Sequence, residues 1–265
     1  KKFWGFLLVI VLMTSCGEYQ SLLKSNDYNL VYKKAIEYYN KGDYQRAMNL
    51  LDGVRSVFVG QAKAQNIAYY RAFCSYNMKD YQIASDLFKQ FIQTYPESSF
   101  AEECLYMMGF CDYKASPKPR LDQQVTEKAI REFQLYLSRY PYSMRKDKVN
   151  TYMDEMRDKL SYKAYLSAKN YYLREHYKAA VISLQNCLKD YPGSKYREEI
   201  MYMLFVSKYQ MAVNSVEDKK VERYNNAREE YYYFADEYPN SRYAADVKKM
   251  YEDIEAYLEN YKFED

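Results

Sequence analysis

The residues of this sequence with the most reactive side chains are five cysteines and a single histidine. Cysteine and histidine bind zinc when several of them occur at short, regular spacings, and the sequence has no CxxC pair. Cys104 and Cys111 lie seven residues apart in a helical pattern, about 10 Å along a helix axis, which is too far for a disulfide. We therefore expect no metal site. We expect buried free thiols at Cys74, Cys104, Cys111 and Cys187.

The histidine, His176, is the remaining candidate for acid–base chemistry. It lies between Glu175 and Tyr177 in a short polar stretch that is typical of a turn. The sequence contains neither a glycine-rich phosphate loop nor a nucleophile elbow. Its many acidic pairs fall on predicted exposed helix faces. We therefore expect a protein that is not an enzyme and has no catalytic residues.

Cys16 has a different context from the other cysteines. Lys1 and Lys2 precede an apolar run from Phe3 to Met13, which is too short to span a bilayer. The following Thr-Ser-Cys resembles a bacterial lipoprotein signal, although Met13 stands where leucine is usual. The resemblance implies cleavage after residue 15, lipidation of Cys16 and, because Gly17 follows, an outer-membrane location. An ordinary signal peptide with an incidental cysteine is the alternative.

The composition indicates long helices rather than a sheet. Among 265 residues there are 35 tyrosines but only 7 glycines and 6 prolines, too few for a protein with many turns. Apolar residues make up 48%, enough for a sizeable core. The net charge of +3 is spread over well-mixed acidic and basic residues, which gives no case for nucleic-acid binding.

A repeated motif punctuates the chain. Tyr-Pro-x-Ser occurs four times, with its prolines at 96, 141, 192 and 239. An alanine precedes each proline by twelve residues, and an aromatic residue or leucine follows each alanine by four. An earlier copy without proline brings the number of repeats to five. The proline should end one helix, and the serine should cap the next. The alanines are Ala84, Ala129, Ala180 and Ala227, with Ala47 in the earlier copy.

This spacing, with the stretch Tyr38–Ala47, resembles the tetratricopeptide (TPR) repeat. It predicts an all-α, TPR-like α-solenoid of five helix-turn-helix repeats plus a C-terminal capping helix. First helices are expected at 27–40, 61–78, 99–114, 144–174 and 195–214. Second helices are expected at 43–58, 80–94, 124–139, 176–190 and 219–237, with the cap at 242–261. Residues 116–124 should form a loop, either a tolerated insertion or a partner contact.

The first helices share a stripe of aromatic residues with the pattern Tyr-x3-apolar-x2-Tyr. This spacing puts each trio on one face of its helix. Gap-free alignment to a TPR repeat turns the stripe toward a binding groove, whereas a shift of one residue would place it in the core. A groove of tyrosines would suit extended, sequence-diverse peptides. The predicted groove residues are Tyr32, Ile36, Tyr39, Tyr69, Phe73, Tyr76, Tyr106, Phe110 and Tyr113.

Over nearly the whole mature chain, the order and spacing of these features resemble the BamD family. Members are TPR lipoproteins of the outer-membrane β-barrel assembly machinery. The stretch Tyr106–Phe110 before a long loop and the stretch Leu188–Pro192 add to the resemblance. The extra helix at 242–261 and the loop at 115–124 depart from it. The division is then 1–15 signal peptide, 16–25 lipidated tether, 26–142 repeats one to three, 143–240 repeats four and five, and 241–265 cap and tail.

The resemblance implies a scaffold, lipid-anchored through Cys16 on the periplasmic face of the outer membrane, with no other cofactor. Its partners would be unfolded outer-membrane proteins, a BamA-like Omp85 barrel protein with its POTRA domains, and other assembly subunits. Two alternatives remain: another envelope TPR lipoprotein that organises protein complexes or cell division, and a glycan-binding outer-membrane lipoprotein. By exposure and position, the predicted partner-docking residues are Lys189, Asp190, Arg197 and Glu198.

Overall fold

The computed structural model describes residues 17–261. A short helical segment at residues 17–23 precedes eleven longer helices, and no strand occurs between residues 17 and 261. The predicted all-α, TPR-like α-solenoid is confirmed. The helices are α1 (Tyr28–Asn40), α2 (Tyr44–Val54), α3 (Ala62–Asn77), α4 (Tyr81–Thr94), α5 (Ala101–Ala115), α6 (Gln124–Arg139), α7 (Lys146–Leu173), α8 (Tyr177–Asp190), α9 (Arg197–Val213), α10 (Glu217–Glu237) and α11 (Ala244–Tyr261).

The Tyr-Pro-x-Ser motifs end four helices in the same way. Each motif tyrosine is the C-cap residue, with φ between −127° and −133° and ψ between 59° and 65°. Its N–H donates to the carbonyl four residues earlier, and the proline follows outside the helix. The prediction that proline stops these helices is therefore confirmed.

The role predicted for the motif serines needs correction. The caps of α5 and α9 are Phe100 and Tyr196, two residues beyond Ser98 and Ser194. Each serine Oγ instead accepts a hydrogen bond from the N–H two residues later, for example from Tyr243 to Ser241 at 3.0 Å. A single tight turn therefore separates the serine from the helix. The serine stabilises this turn and not the first helical N–H groups.

Alanines at the predicted positions hold the two helices of each repeat together. All five motif alanines are completely buried. The facing positions on the first helices of repeats one, two and four are also small, with Ala35, Ala72 and Ala168 fully buried, whereas repeat five has the buried Phe205 there. In repeat three this position is Gly109, and a Cβ built there would lie 2.9 Å from Cδ1 of Phe133. In repeats one to four, close approach of the helix axes thus depends on small side chains at both positions.

The loop before α6 is organised by one buried side chain. Gln123 is 4% exposed, and its amide nitrogen donates to the carbonyl oxygens of Lys118 and Leu121. Its amide oxygen accepts from the Thr126 hydroxyl at 2.7 Å. These hydrogen bonds pin the loop to the first turn of α6. A partner contact at this loop stays a prediction.

The chain divides into two compact units, residues 1–156 and 157–265, and the boundary falls within α7. Helix α7 is continuous over 28 residues, as its apolar spacing predicts. The amino-terminal unit has two hydrophobic clusters, one under α1 to α3 and one under α3 to α7. The carboxy-terminal unit also has two. The finer divisions expected from the sequence stay predictions, and the signal peptide and Cys16 lie outside the described residues.

Candidate functional site

Aromatic rings on the first helices of the amino-terminal unit contact one another in an unbroken series. Tyr39 of α1 contacts Tyr70 of α3 at 4.9 Å between ring centroids, and Tyr70 contacts Tyr69 at 5.6 Å. Tyr69 in turn packs on Phe73 at 4.5 Å, and Phe73 lies 6.3 Å from Tyr76. These distances are typical of favourable aromatic pairs.

The series continues across α5 to the start of α7. Tyr76 lies 6.2 Å from Phe110, which lies 5.9 Å from Tyr113. Tyr113 stacks on Tyr152 at 4.4 Å. All of these rings are partly buried and partly exposed. We call the set the aromatic ladder. Its members are Tyr39, Tyr69, Tyr70, Phe73, Tyr76, Phe110, Tyr113 and Tyr152.

Three of the nine predicted groove residues differ from the rest. Tyr106 is only 7% exposed, because it packs against Tyr136 and lies beneath the Arg145 guanidinium at 4.6 Å. The expectation of an accessible ring is therefore wrong for Tyr106. Tyr32 and Ile36 are partly exposed but pack on the first core cluster, with Tyr32 against Phe58. They lie beside the ladder without extending its series of ring contacts.

The sequence pattern did not predict two members of the ladder, Tyr70 and Tyr152. Tyr70 is adjacent to Tyr69 and has no counterpart in the other trios, so no periodicity marks it. Tyr152 lies in the amino-terminal extension of α7, outside the aligned repeat. The sequence around Tyr152 carries part of the trio pattern. Met156 follows Tyr152 by four residues, which is the spacing between the first tyrosine and the apolar residue of the trios. Met156 is fully buried.

The hydroxyl groups of Tyr69 and Tyr76 are available to a ligand. Neither forms a hydrogen bond within residues 17–261, and neither is among the buried polar atoms without partners. Burial of the ring, with a smaller effect of Glu103, raises the pKa of Tyr69 to about 12. Burial likewise raises the pKa of Tyr76. Both phenols are therefore neutral at physiological pH and can donate or accept a hydrogen bond.

Tyrosines at the equivalent positions of the carboxy-terminal unit are already used internally. Tyr165 donates to Glu199 at 2.9 Å, Tyr202 to Asp246 at 2.8 Å, and Tyr209 to Asp253 at 3.2 Å. Each acceptor lies on the next first helix or the capping helix. The same stripe thus joins neighbouring helices in this unit, whereas Tyr69 and Tyr76 leave their hydroxyls free.

The four predicted docking residues divide into two pairs. Lys189 and Asp190 are exposed at the end of α8. Arg197 instead binds both carboxylate oxygens of Glu237, and Glu198 accepts from the Ser241 hydroxyl at 2.6 Å. Arg197 therefore joins the two helices of repeat five, and Glu198 joins the first of them to the turn before the capping helix. A docking role for any of the four stays a prediction.

The cysteines offer no accessible thiol among the described residues. All four cysteines in this range are buried, as predicted. Burial raises the pKa of Cys74 and Cys104 to about 12 and that of Cys187 to about 11, which keeps these thiols neutral. Between residues 17 and 261 no three His, Cys, Asp or Glu side chains cluster as a metal site would require. His176 is an exposed cap residue before α8, as expected for a turn.

The sequence of this chain matches the model of a known protein family. The model of the family YfiO, described as outer membrane lipoprotein, matches residues 24–199 and 163–264, which is most of the chain. This chain belongs to the YfiO family. Its aromatic ladder lies wholly within the first matched range. No helix between residues 17 and 261 has both the length and the apolar character needed to cross a bilayer.

Solved structures, two of them described as TPR proteins, are similar to this YfiO chain at low identity. A TPR repeats protein from Bacteroides fragilis is 13% identical, with a TM-score of 0.42, over 88% of this chain and 99% of that one. The TPR2AB domain of yeast Sti1, in a complex with pHSP90, is 13% identical, with a TM-score of 0.38, over 86% of this chain and 98% of that one. Human IFIT1 is 17% identical, with a TM-score of 0.31, over 95% and 63%. No curated protein matches the chain.

Proposed function

We propose that this YfiO-family chain is a BamD-like scaffold of outer-membrane protein assembly. In this proposal it is anchored by a lipid on Cys16, works on the periplasmic face of the outer membrane and catalyses no reaction. The observation that carries the proposal is the aromatic ladder with the free hydroxyls of Tyr69 and Tyr76. Membership of an outer membrane lipoprotein family supports the location.

The ladder suits an unfolded chain better than a folded or small ligand. Flat rings accept many side chains by contact alone, and the tyrosine hydroxyls can bond backbone amides whatever the sequence. A continuous row along α1, α3, α5 and the start of α7 presents several such positions in register. Extended segments of unfolded β-barrel proteins would bind here, each ring adding a modest contribution.

The carboxy-terminal unit would hold the barrel subunit of the same machinery. Its stripe tyrosines are bonded internally, which makes this unit a rigid platform and a poor peptide site. Lys189 and Asp190 are exposed there and are the proposed contacts for the POTRA domains of a BamA-like Omp85 protein. The lipid on Cys16, with more than one acyl chain, would give stable anchoring in the membrane.

Removal of two hydroxyls tests the ladder as a peptide site. The double variant Tyr69→Phe/Tyr76→Phe keeps the rings and should bind a fluorescent carboxy-terminal peptide of a β-barrel protein several-fold more weakly. The triple variant Tyr69→Ser/Phe73→Ser/Tyr76→Ser should lose at least about tenfold in affinity. The matched control Tyr202→Phe/Tyr209→Phe alters hydroxyls that are bonded internally and should bind normally. Unchanged binding by the triple variant, with its helicity intact, would remove the ladder from the proposal.

Recovery of the partner tests the assembly role separately. The lipidated chain, pulled down from detergent-solubilised outer membranes, should bring an Omp85-type barrel protein with it. A Lys189→Glu/Asp190→Lys variant should recover less of it. If no Omp85-type protein is recovered by the unaltered chain, the assembly role is wrong, even where the ladder binds peptides.

A further inference from the structure

A cavity lies among α4, α5 and α6 of the amino-terminal unit, and no residue of the aromatic ladder lines it. Its volume is about 350 Å³, within the range of about 300–1,000 Å³ common for ligand pockets. Leu105 and Met108 of α5 are buried beneath it, and Leu135 of α6 is 54% exposed beside it. The cavity can therefore accept an apolar side chain from solvent.

One carboxyl oxygen in the cavity wall lacks a hydrogen-bond partner among the described residues. Glu132 is only 8% exposed, and its Oε2 is buried without a hydrogen bond within residues 17–261. Lys128 lies 3.7 Å from the other oxygen but is held by Asp112 at 2.8 Å. A buried polar atom without a partner costs about 1–3 kcal/mol. An arriving donor would recover this energy.

The last repeat shows the arrangement that Glu132 lacks. Glu230 occupies the equivalent position, three residues after the motif alanine, and is equally buried at 8%. It is paired with Lys208 of α9. In repeat three the residue corresponding to Lys208 is Asp112, which is itself an acid. At the position of the lysine that pairs with Glu230, repeat three thus has a second acidic residue facing Glu132.

The rim of the cavity is basic. Lys89 of α4 and Arg131 of α6 line the opening, and both are exposed. Arg131 is only 4.0 Å from Glu127, at the limit of an ion pair, and both side chains are well exposed. Such surface pairs contribute little. Both cations are therefore available to an anionic ligand at the edge of an apolar cavity.

We propose that this cavity binds a segment of a partner protein in which a large apolar side chain is flanked by acidic residues. The apolar side chain fills the space over Leu105 and Met108, and its own backbone N–H donates to Oε2 of Glu132. Acidic neighbours of that side chain pair with Lys89 and Arg131. An acyl chain would satisfy the apolar wall and the cations but carries no N–H donor for Glu132, which favours the peptide.

The probe is a fluorescein-labelled peptide, Glu-Asp-Leu-Leu-Asp-Glu with both ends blocked, added to the full chain in lipid nanodiscs. It should bind, and the methyl resonance of Met108 in [13C-methyl]methionine-labelled protein should shift with saturation. A matched peptide with lysines in place of its acidic residues should bind at least about tenfold more weakly. Leu135→Asp and Arg131→Glu should each weaken binding of the acidic peptide by a similar factor. Ile182→Asp, which changes a 55%-exposed side chain in the other unit, should leave it unchanged.

Several results would overturn the proposal. The peptide could fail to bind at millimolar concentration, or bind without shifting Met108. It could also bind equally to the rim variants and the unaltered chain. Saturation of the Met108 shift by dodecanoate but not by the peptide would assign the cavity to an amphiphile instead.

Discussion

The Ser241 hydroxyl lies 2.6 Å from Oε1 of Glu198, which joins the turn before α11 to the first turn of α9. The same Oγ accepts the N–H of Tyr243. Ser143 repeats the arrangement two motifs earlier, with its hydroxyl 2.7 Å from Oε1 of Glu102. In these two motifs the serine thus performs two tasks: it shapes a turn, and it bonds a carboxylate on a first helix more than 40 residues earlier in the chain.

Replacement of Ser241 by alanine should weaken this connection. It leaves the Glu198 carboxylate with one hydrogen bond fewer, and we expect a loss of about 1–2 kcal/mol. Amide hydrogen exchange should rise mainly in α11. Ser98→Ala is the matched control, because Ser98 accepts the N–H of Phe100 in the same turn, and its hydroxyl bonds no carboxylate between residues 17 and 261. Equal losses for the two variants would mean that the turn, and not Glu198, accounts for the effect.

Two glycine-to-alanine changes should have opposite signs. At Gly109 the added Cβ would overlap the fully buried Phe133 ring, so Gly109→Ala should destabilise the chain by about 1–2 kcal/mol despite its better helix propensity. At Gly53, in α2, nothing lies within 4 Å of the added Cβ. Gly53→Ala should therefore stabilise by about 0.5–1 kcal/mol. Denaturant unfolding of both variants measures the difference. A stabilised Gly109→Ala would show that the helices can separate without cost.

Stability should depend on pH through Glu132. Burial and the neighbouring Asp112 raise the pKa of Glu132 from 4.5 to about 8, although Lys128 and Lys89 lower it in part. Between these values the native state holds a proton that the unfolded chain releases, so this contribution is complete below pH 4.5 and is lost as pH rises toward 8. Glu132→Gln should remove the dependence. In thermal unfolding, the stability of Glu132→Gln relative to that of the unaltered chain should increase from pH 5 to pH 8. A difference in unfolding temperature that stays constant with pH would contradict the raised pKa of Glu132.

The inter-helix turns contain two strained residues. Lys79 has φ of +68° and Glu175 has φ of +59°, where repeat one has Gly42 at +80°. A non-glycine residue in this conformation costs about 1–2 kcal/mol, partly offset by the entropy that glycine loses on folding. Glu175→Gly should therefore stabilise by up to about 1 kcal/mol in chemical unfolding. Gly42→Glu is the reciprocal change and should lower the free energy of unfolding. If neither variant changes that free energy, the positive φ at these two positions does not strain the chain.

The sequence by itself determined the class of fold and its punctuation. Alanines and prolines at fixed spacings act locally, through close helix contact and a missing N–H, so they predict helix ends within a few residues. Thr94 and Glu237 end their helices at the residues expected from the pattern. The stripe of tyrosines was also visible, because helical periodicity places i, i+4 and i+7 on one face.

Only the tertiary structure decided which tyrosines are free. Tyr69 begins the trio of repeat two, and Tyr209 ends the trio of repeat five. The Tyr69 hydroxyl has no hydrogen bond between residues 17 and 261, whereas the Tyr209 hydroxyl donates to Asp253 of α11. Tyr106 is buried, while Tyr152 completes the ladder from outside the aligned repeat. The raised pKa of Glu132 likewise depends in part on Asp112, a residue of another helix. Periodicity assigns a face to each residue, but the partner across the interface comes from a distant part of the chain.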